Sequence, residues 1–227
     1  VFLYLGNLTP DYRGIMREQQ DFILDNTTIP VAHLVIAEQT HSSIVHKCRL
    51  SDSGAGIGLH PQIPVADGLI TDIPGQFLLV RTADCIPVLL YDNEARAVCA
   101  VHSGREGTRK NIVGKSVKMM IREYGCEPNK LIAYIGAGIC EDHYEVSEEI
   151  YRGFNESLER MKLCPCQRKH RHLNIRTTIF QQLIAEGIPF RNIENIFACT
   201  YENEDYFSYR RDQTTNRQIN VIGIIDE

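Results

Sequence analysis

Between residues 34 and 101 the chain alternates short apolar runs with turn-forming residues, and no other feature restricts its fold as much. Leu34–Ala37, Ile44–His46, Gly68–Thr71, Phe77–Val80, Val88–Tyr91 and Ala97–Val101 are too short for helices. Gly, Pro, Asp and Asn divide them, as turns divide strands. Helical periods lie on both sides. Ile15, Gln19, Phe22 and Ile23 predict a helix over 11–25. Ile112, Val113, Val117, Met120 and Ile121 share one face of 111–124, which Gly125 and Pro128 terminate. A strand follows at Leu131–Ile135, and Ser147 is placed to cap a helix whose first turn holds Glu148 and Glu149. A third main helix spans Ile175 to Glu186 and stops at Gly187. Strands are expected near Ile196–Thr200, Tyr206–Arg210 and Val221–Ile225. This order is too irregular for clean βαβ alternation. It predicts one mixed α/β domain over 1–227, with helices covering central sheets.

A chain of 227 residues suffices for one large core and is short for two. Its 29 acidic and 24 basic residues leave a charge of −5 with no basic block, which argues against general nucleic-acid binding. No apolar run approaches the ~20 residues that span a bilayer. The opening Val1-Phe2-Leu3-Tyr4-Leu5 lacks the basic and long apolar regions of a signal peptide, so a soluble cytoplasmic protein is expected. Val1 is not an initiator Met, and the expectation is that natural residues precede it. Eight scattered cysteines in a chain with ample core point to free, mainly buried thiols rather than a disulfide framework.

Three potential metal donors stand at ends of the apolar runs: Gln39-Thr40-His41, Ala83-Asp84-Cys85 and Ala100-Val101-His102. Strand ends are where a rigid sheet projects polar side chains into one cleft. Two imidazoles and a thiolate suit zinc and leave a fourth position open. Sequence separations of 44 and 17 residues mean that only the fold can assemble such a site. The same atoms serve a second chemistry, with Cys85 as nucleophile and His102 as its base. Asp84 then orients the imidazole, or supports a metal-bound histidine from behind. In the plainest reading, Cys85 is a buried core thiol and the histidines are merely hydrogen-bonded. A rival donor group, Cys164-Pro165-Cys166 with His170 and His172, lies among Lys162, Arg168, Lys169 and Arg171, where an exposed basic loop is the alternative. Tyr206-Phe207-Ser208-Tyr209-Arg210-Arg211-Asp212 sets two guanidinium forks beside three aromatics, suited to a phosphate or a base or, more plainly, to surface ion pairs. Gly136-Ala137-Gly138 lacks the third glycine and the following helix of a dinucleotide fingerprint.

Taken together, these segments resemble the laccase-domain or YfiH-like family, regarded as zinc-dependent purine nucleoside phosphorylases. The resemblance is carried by Gln39-Thr40-His41, Ala66-Asp67-Gly68, Thr82-Ala83-Asp84-Cys85-Ile86-Pro87 and Ala100-Val101-His102-Ser103-Gly104. Ile135-Gly136, Tyr144-Glu145-Val146, Phe207 to Asp212 and Arg217-Gln218 extend it over most of the chain from about residue 35. It implies an α/β layered sandwich of mixed β-sheets under outer helices. It also implies zinc, or copper, held by His41, Cys85 and His102. The implied reaction is phosphorolysis of adenosine, inosine, guanosine or methylthioadenosine, with adenosine deamination beside it. Purine nucleoside and phosphate are then the partners, and Arg105, Arg210 and Arg211 are the cations expected to contact them. Two other activities ascribed to such chains are copper polyphenol oxidation and a Cys–His hydrolase acting in peptidoglycan editing. The chain departs from the family pattern at Arg105-Glu106, where tryptophan and arginine are usual, and at Asp142-His143, where a cysteine pair is usual. The N-terminal Thr/Arg/Gly-rich segment is not recognisable.

Overall fold

The computed structural model describes residues 1–225. The chain enters through strand β1 (Phe2–Leu5), helix α1 (Tyr12–Glu18) and a hairpin of β2 (Phe22–Leu24) and β3 (Thr27–Ile29). The helix expected over 11–25 therefore ends early. Asp11 caps it by accepting from Gly14 N, and Gln19 leaves it in the left-handed region. Phe22 and Ile23, which continue the period, lead instead into Asp25-Asn26, both at positive φ as a type I′ loop requires. Strands β4 (Leu34–Ile36), β5 (Val45–Lys47), β6 (Gly68–Thr71), β7 (Phe77–Thr82), β8 (Ile86–Asp92) and β9 (Ala97–Ser103) follow the apolar runs. Next come α2 (Arg105–Arg109), α3 (Ile112–Tyr124), β10 (Ile132–Ile135), α4 (Glu148–Arg160) and α5 (Ile175–Ala185). The chain closes with β11 (Ile193–Asn195), α6 (Tyr209–Asp212) and β12 (Gln218–Gly223).

The strands form a four-stranded sheet, β1-β12-β7-β4, and a six-stranded sheet, β11-β10-β8-β9-β6-β5. Strand parity explains why their sequences are apolar at nearly every position. Leu78, Val80 and Ile222 of the first sheet meet Leu69, Leu89, Val98 and Ala100 of the second in a shared core. The alternate residues Val88, Leu90, Cys99 and Val101 point the other way, onto Val113, Val117, Phe154, Ile179 and Leu183 of α3, α4 and α5. On the far side Phe77, Leu79, Ile219 and Val221 pack beneath Ile15 of α1 and Leu24 and Ile29 of the hairpin. Sheets buried on both faces need such runs. Each side chain removed from water this way contributes about 1.5–3 kcal/mol. The architecture is the mixed α/β sandwich expected.

Caps fix the helices where the sequence places them. Asn111 accepts from Gly114 N, Ser147 from Ile150 N and Asn174 from Thr177 N, while Gly125 ends α3 at positive φ. Of the three C-terminal strands expected, the last forms as β12, shifted to Gln218–Gly223, and the other two do not. Near the first, only 193–195 pairs, parallel to β10, and residues 196–208 form loops with a single bridge, Gly138 to Cys199. The cause is Arg211, whose guanidinium takes the carbonyls of Thr200, Tyr201, Asn203 and Tyr206 that a neighbouring strand would otherwise use. Ser208 caps α6, so Tyr206–Arg210 is no strand. No helix among the described residues is long and apolar enough to cross a membrane.

Candidate metal centre

One buried carboxylate organises the site. Asp67, just before β6, is 1% exposed and accepts from His102 Nδ1 at 2.7 Å across the β6–β9 pairing. It also accepts from the backbone N–H groups of Thr40, His41 and Ser42 at 3.2, 3.1 and 2.7 Å, and from Ser42 Oγ at 2.7 Å. The same group thus aims the His102 ring and pins the loop after β4 that carries His41. That loop turns sharply, with His41 itself at φ 60°. Cys85 arrives from the turn joining β7 to β8, directly after Asp84 at φ 87°. A non-glycine residue so placed costs about 1–3 kcal/mol. Asp84 is held there by Ile139 N donating to its carbonyl and by three donors to its carboxylate: Thr200 Oγ1, Ser208 Oγ and Arg210 N, at 2.7, 2.7 and 2.6 Å.

His41, Cys85 and His102 come together, their donor atoms all within 4.8 Å of one another. The two imidazoles meet edge to face with centroids 4.9 Å apart. Gly104 closes the floor: a Cβ there would lie 2.8 Å from His41 Cδ2 and 2.9 Å from Cys85 Sγ. Its φ of −83° is ordinary, so the need for glycine is one of space. Burial disfavours a thiolate at Cys85, but the charge and hydrogen bond of His102, with a further bond from His41, bring it down to about 6. Burial likewise opposes a charged His102, which Cys85 and Asp67 raise to about 9. Burial also raises Asp67, and hydrogen bonds from His102 and Ser42 outweigh it, leaving the carboxyl at about 2. With Nδ1 of His102 committed to Asp67, Nε2 is the nitrogen left for ligation. Two imidazoles and a readily ionised thiol, backed by a carboxylate, fit a borderline-soft divalent ion such as zinc and also accept copper.

The donors open onto a cleft of about 750 Å³ whose lining includes Arg13, Arg81, Arg105, Arg210 and Arg217, with Asp84 as the one acidic residue. Arg105 and Arg210 are where the sequence placed them. Arg211 is not among the lining residues, because its guanidinium is spent on carbonyls. Arg217 belongs to the Arg217-Gln218 segment of the family pattern, whereas Arg13 and Arg81 carry no motif that marks them as cleft residues. Arg81 is tied to Gln39 Oε1 and Ala37 O and lies over the Tyr12 ring. Asp84 lines the cleft but bonds to no histidine, and the carboxylate behind His102 is Asp67. Glu106 is not among the lining residues; it accepts from Arg109 at 2.9 and 3.1 Å and from Arg105 Nε at 3.4 Å. The rival donor group disperses. Cys164 is exposed, Cys166 Sγ accepts from Asn174 N at 3.3 Å, His170 pairs with Glu148 at 2.9 Å and His172 faces the His170 carbonyl.

A sequence profile of the family described as multi-copper polyphenol oxidoreductase laccase matches residues 3–225. A purine nucleoside phosphorylase of Corynebacterium glutamicum is 35% identical over 223 residues, which is 98% of this chain and 87% of that one. A protein of an unknown prokaryotic organism named adenosine deaminase RL5 is 30% identical over 188 residues, covering 78% of this chain and 70% of its own. In three dimensions the chain is similar to the crystal structure of the Bacillus licheniformis hypothetical protein YfiH. The TM-score is 0.79 at 31% identity, over 86% of this chain and 75% of the other. With this breadth of agreement in sequence and fold, the chain belongs to the laccase-like YfiH family of the multi-copper polyphenol oxidoreductase description.

Proposed function

We propose that the protein is a zinc-dependent purine nucleoside phosphorylase with accompanying adenosine deaminase activity. The observation that carries this reading is the cleft itself: a His41–Cys85–His102 donor set facing five arginines and one carboxylate. Such a balance attracts a phosphate dianion. Tyr12, Tyr144 and Tyr209 in the same lining offer flat faces to a purine. The curated relatives supply the reaction class by their names.

When bound, zinc supplies Lewis-acid polarisation of a phosphate or water oxygen. The chain's own residues do the rest. Asp67 keeps the proton on His102 Nδ1 and holds His41 in register. Arg105 and Arg210 are placed to bind phosphate. The Arg210 guanidinium is steadied by the His143 and Glu145 carbonyls at 3.3 and 3.2 Å and by the Tyr144 ring at 5.2 Å. Asp84, whose oxygens serve Thr200, Ser208 and Arg210 N, is a positioning residue for that arginine. In phosphorolysis a phosphate oxygen bonds to ribose C1′ as the C1′–N9 bond breaks, and the protonated base leaves. In deamination water replaces the amino group at C6 and ammonia leaves.

The test is metal-replete protein with adenosine and inorganic phosphate, followed by chromatography. Adenine and ribose 1-phosphate should appear in proportion, and both should vanish on chelation. No base release at any phosphate concentration would overturn phosphorolysis, and inosine formed without phosphate would leave deamination alone. The lowered thiol of Cys85 beside a charged His102 favours a second reading, a metal-free Cys–His hydrolase. It requires Cys85 to alkylate at one fast rate with and without chelator, which a metal ligand would not do.

A further inference from the structure

A second set of donors adjoins Ile139 and Tyr144 of the cleft lining, on loops whose sequences are far apart. Cys140 starts a single 3-10 turn after β10, and Cys199 sits on the loop after β11. The two segments run side by side. Gly138 N donates to Ala198 O, Thr200 N to Gly138 O, and Cys140 N to Cys199 Sγ at 3.3 Å. Each cysteine is followed three residues later by a further donor, His143 in one loop and Glu202 in the other. Both turns are closed by backbone bonds, His143 N to Cys140 O and Asn203 N to Cys199 O.

We propose that Cys140, His143, Cys199 and Glu202 form a second, structural zinc site that clamps these two loops. All four donor atoms lie within 4.8 Å of one another, and no other donor group among the described residues offers more than three. Cys140 Sγ is 3.3 Å from His143 Nδ1 and 3.6 Å from Glu202 Oε1, and the last two atoms are 3.2 Å apart. A tetrahedral zinc ion with ordinary bond lengths has S···N or S···O edges of about 3.6 Å and N···O edges of about 3.3 Å. The three edges among Cys140, His143 and Glu202 lie within about 0.3 Å of those values, and Cys199 Sγ lies within 4.8 Å of all three atoms. Its rings and charges are also prepared. The His143 imidazole stacks on Tyr201 at 4.3 Å, which leaves Nδ1 turned to the thiol. Two thiolates and a carboxylate around a dication leave one negative charge. The half-buried guanidinium of Arg176 faces it, bonded to Asn195 Oδ1 and the Ala198 carbonyl, in the field of Cys199 and Cys140.

Four protein donors leave no open position, so this ion would hold structure and bind no substrate. What it would hold is the cleft wall. Ile139 and Tyr144 line the cleft, Thr200 bonds Asp84, and the His143 carbonyl supports Arg210. The site stands independently of the activity proposed above.

The experiment is zinc analysis, by mass spectrometry, of full-length protein purified without chelator, in wild type and in a Cys85→Ser background that removes the central ligand. Cys85→Ser should retain one zinc per chain, and adding Cys140→Ser and Cys199→Ser should remove it. Cobalt loaded into Cys85→Ser should give thiolate-to-metal charge-transfer absorption, which His143→Gln or Glu202→Gln weakens. The wild-type chain supplies a readout that no folding defect confounds: Cys140 and Cys199 should resist alkylation until a chelator is added, and then react. A folded Cys85→Ser chain without metal would overturn the proposal. So would a Cys140 that alkylates at one rate with and without chelator, or a Cys140–Cys199 disulfide in protein isolated under reducing conditions. Equal zinc in wild type and Cys85→Ser, one per chain, would support this site while refuting the central one.

Discussion

Asp67→Asn is the sharpest test of how the centre is built. The carboxylate accepts five hydrogen bonds, from His102, Thr40, His41 and two donors of Ser42. Asparagine has one oxygen, so its amide nitrogen must face donors whichever way it turns. Turned toward Ser42, it abandons the Thr40 and Ser42 N–H groups and the Ser42 hydroxyl. Turned toward His102, it faces His41 N and forces the imidazole to accept at Nδ1, which puts a proton on Nε2 and spoils ligation. Two part-buried donors left without the carboxylate, at about 1 kcal/mol each, give a loss of about 2 kcal/mol. For a chain of this size that is a fall in Tm of about 4–8 °C. Loss of the carboxylate behind a metal-bound histidine weakens zinc by about 10- to 100-fold. A pH signature separates this from a generic packing defect. Asp67 sits at about 2 in the folded protein, below the ~3.9 of a free aspartate. The stability it contributes, about 2–3 kcal/mol, is therefore present above pH ~4 and lost as pH falls toward 2. The gap between wild type and Asp67→Asn should narrow over that interval. Thermal unfolding of metal-free protein from pH 5 to 2, with a competitive zinc titration at pH 7, makes both measurements. A variant that melts with wild type and holds zinc equally would show that the carboxylate organises nothing.

The other predictions concern the donors and the cations around them. Cys85 should alkylate slowly in metal-loaded protein and much faster after chelation, followed by peptide mass spectrometry, since a metal-bound thiolate has its charge already neutralised. Fast reaction with zinc still bound would transfer the assignment to the Cys–His hydrolase. Gly104→Ala places a methyl 2.8 Å from His41 and 2.9 Å from Cys85. It should cost about 1–3 kcal/mol in crowding and lose most of its zinc, as metal analysis would show. Arg210→Met should raise KM for phosphate with zinc content unchanged. Arg211→Met should instead lower Tm by about 4–8 °C through its lost carbonyl bonds, with a smaller change in KM. Equal KM effects in the two variants would mean that Arg211 reaches the ligand.

How legible the molecule was depended on the range of each interaction. Of the six central strand runs, all but the half-exposed edge strand β5 were plain because burial makes them nearly uninterrupted in apolar residues, and α3, α4 and α5 carried their own caps. The donor triad was visible through residue type and position at strand ends. Asp67 was in view in Ala66-Asp67-Gly68, but its bond to His102 depends on the register that sets Gly68 opposite Val101. The neighbouring Asp84 drew the role instead. Closeness in sequence misled again at Cys164 and Cys166, which point to different surroundings, whereas Cys140 and Cys199 meet across 59 residues. The helix α2 (Arg105–Arg109) had no apolar period to announce it. The segments 196–200 and 206–210 have the apolar and aromatic character of strands, and an arginine's claim on backbone carbonyls leaves no mark in hydropathy.

The passage from β7 to β8 carries the chain from one sheet to the other in the three residues Ala83, Asp84 and Cys85. Cys85 therefore stands on the hem that stitches two layers of fabric, while His102 belongs to the second layer and His41 to a loop leaving the first. The donors meet where the sheets are joined, within 4.8 Å of one another, although packed sheets lie about 10 Å apart across a core. Most arginines and tyrosines of the cleft hang from the margins, on α1, α2, α6 and the connecting loops, and Arg81 alone comes from a strand, β7. The family pattern changes at those margins here, at Arg105-Glu106 and Asp142-His143, while the donor atoms of His41, Cys85 and His102 at the hem stay within 4.8 Å of one another.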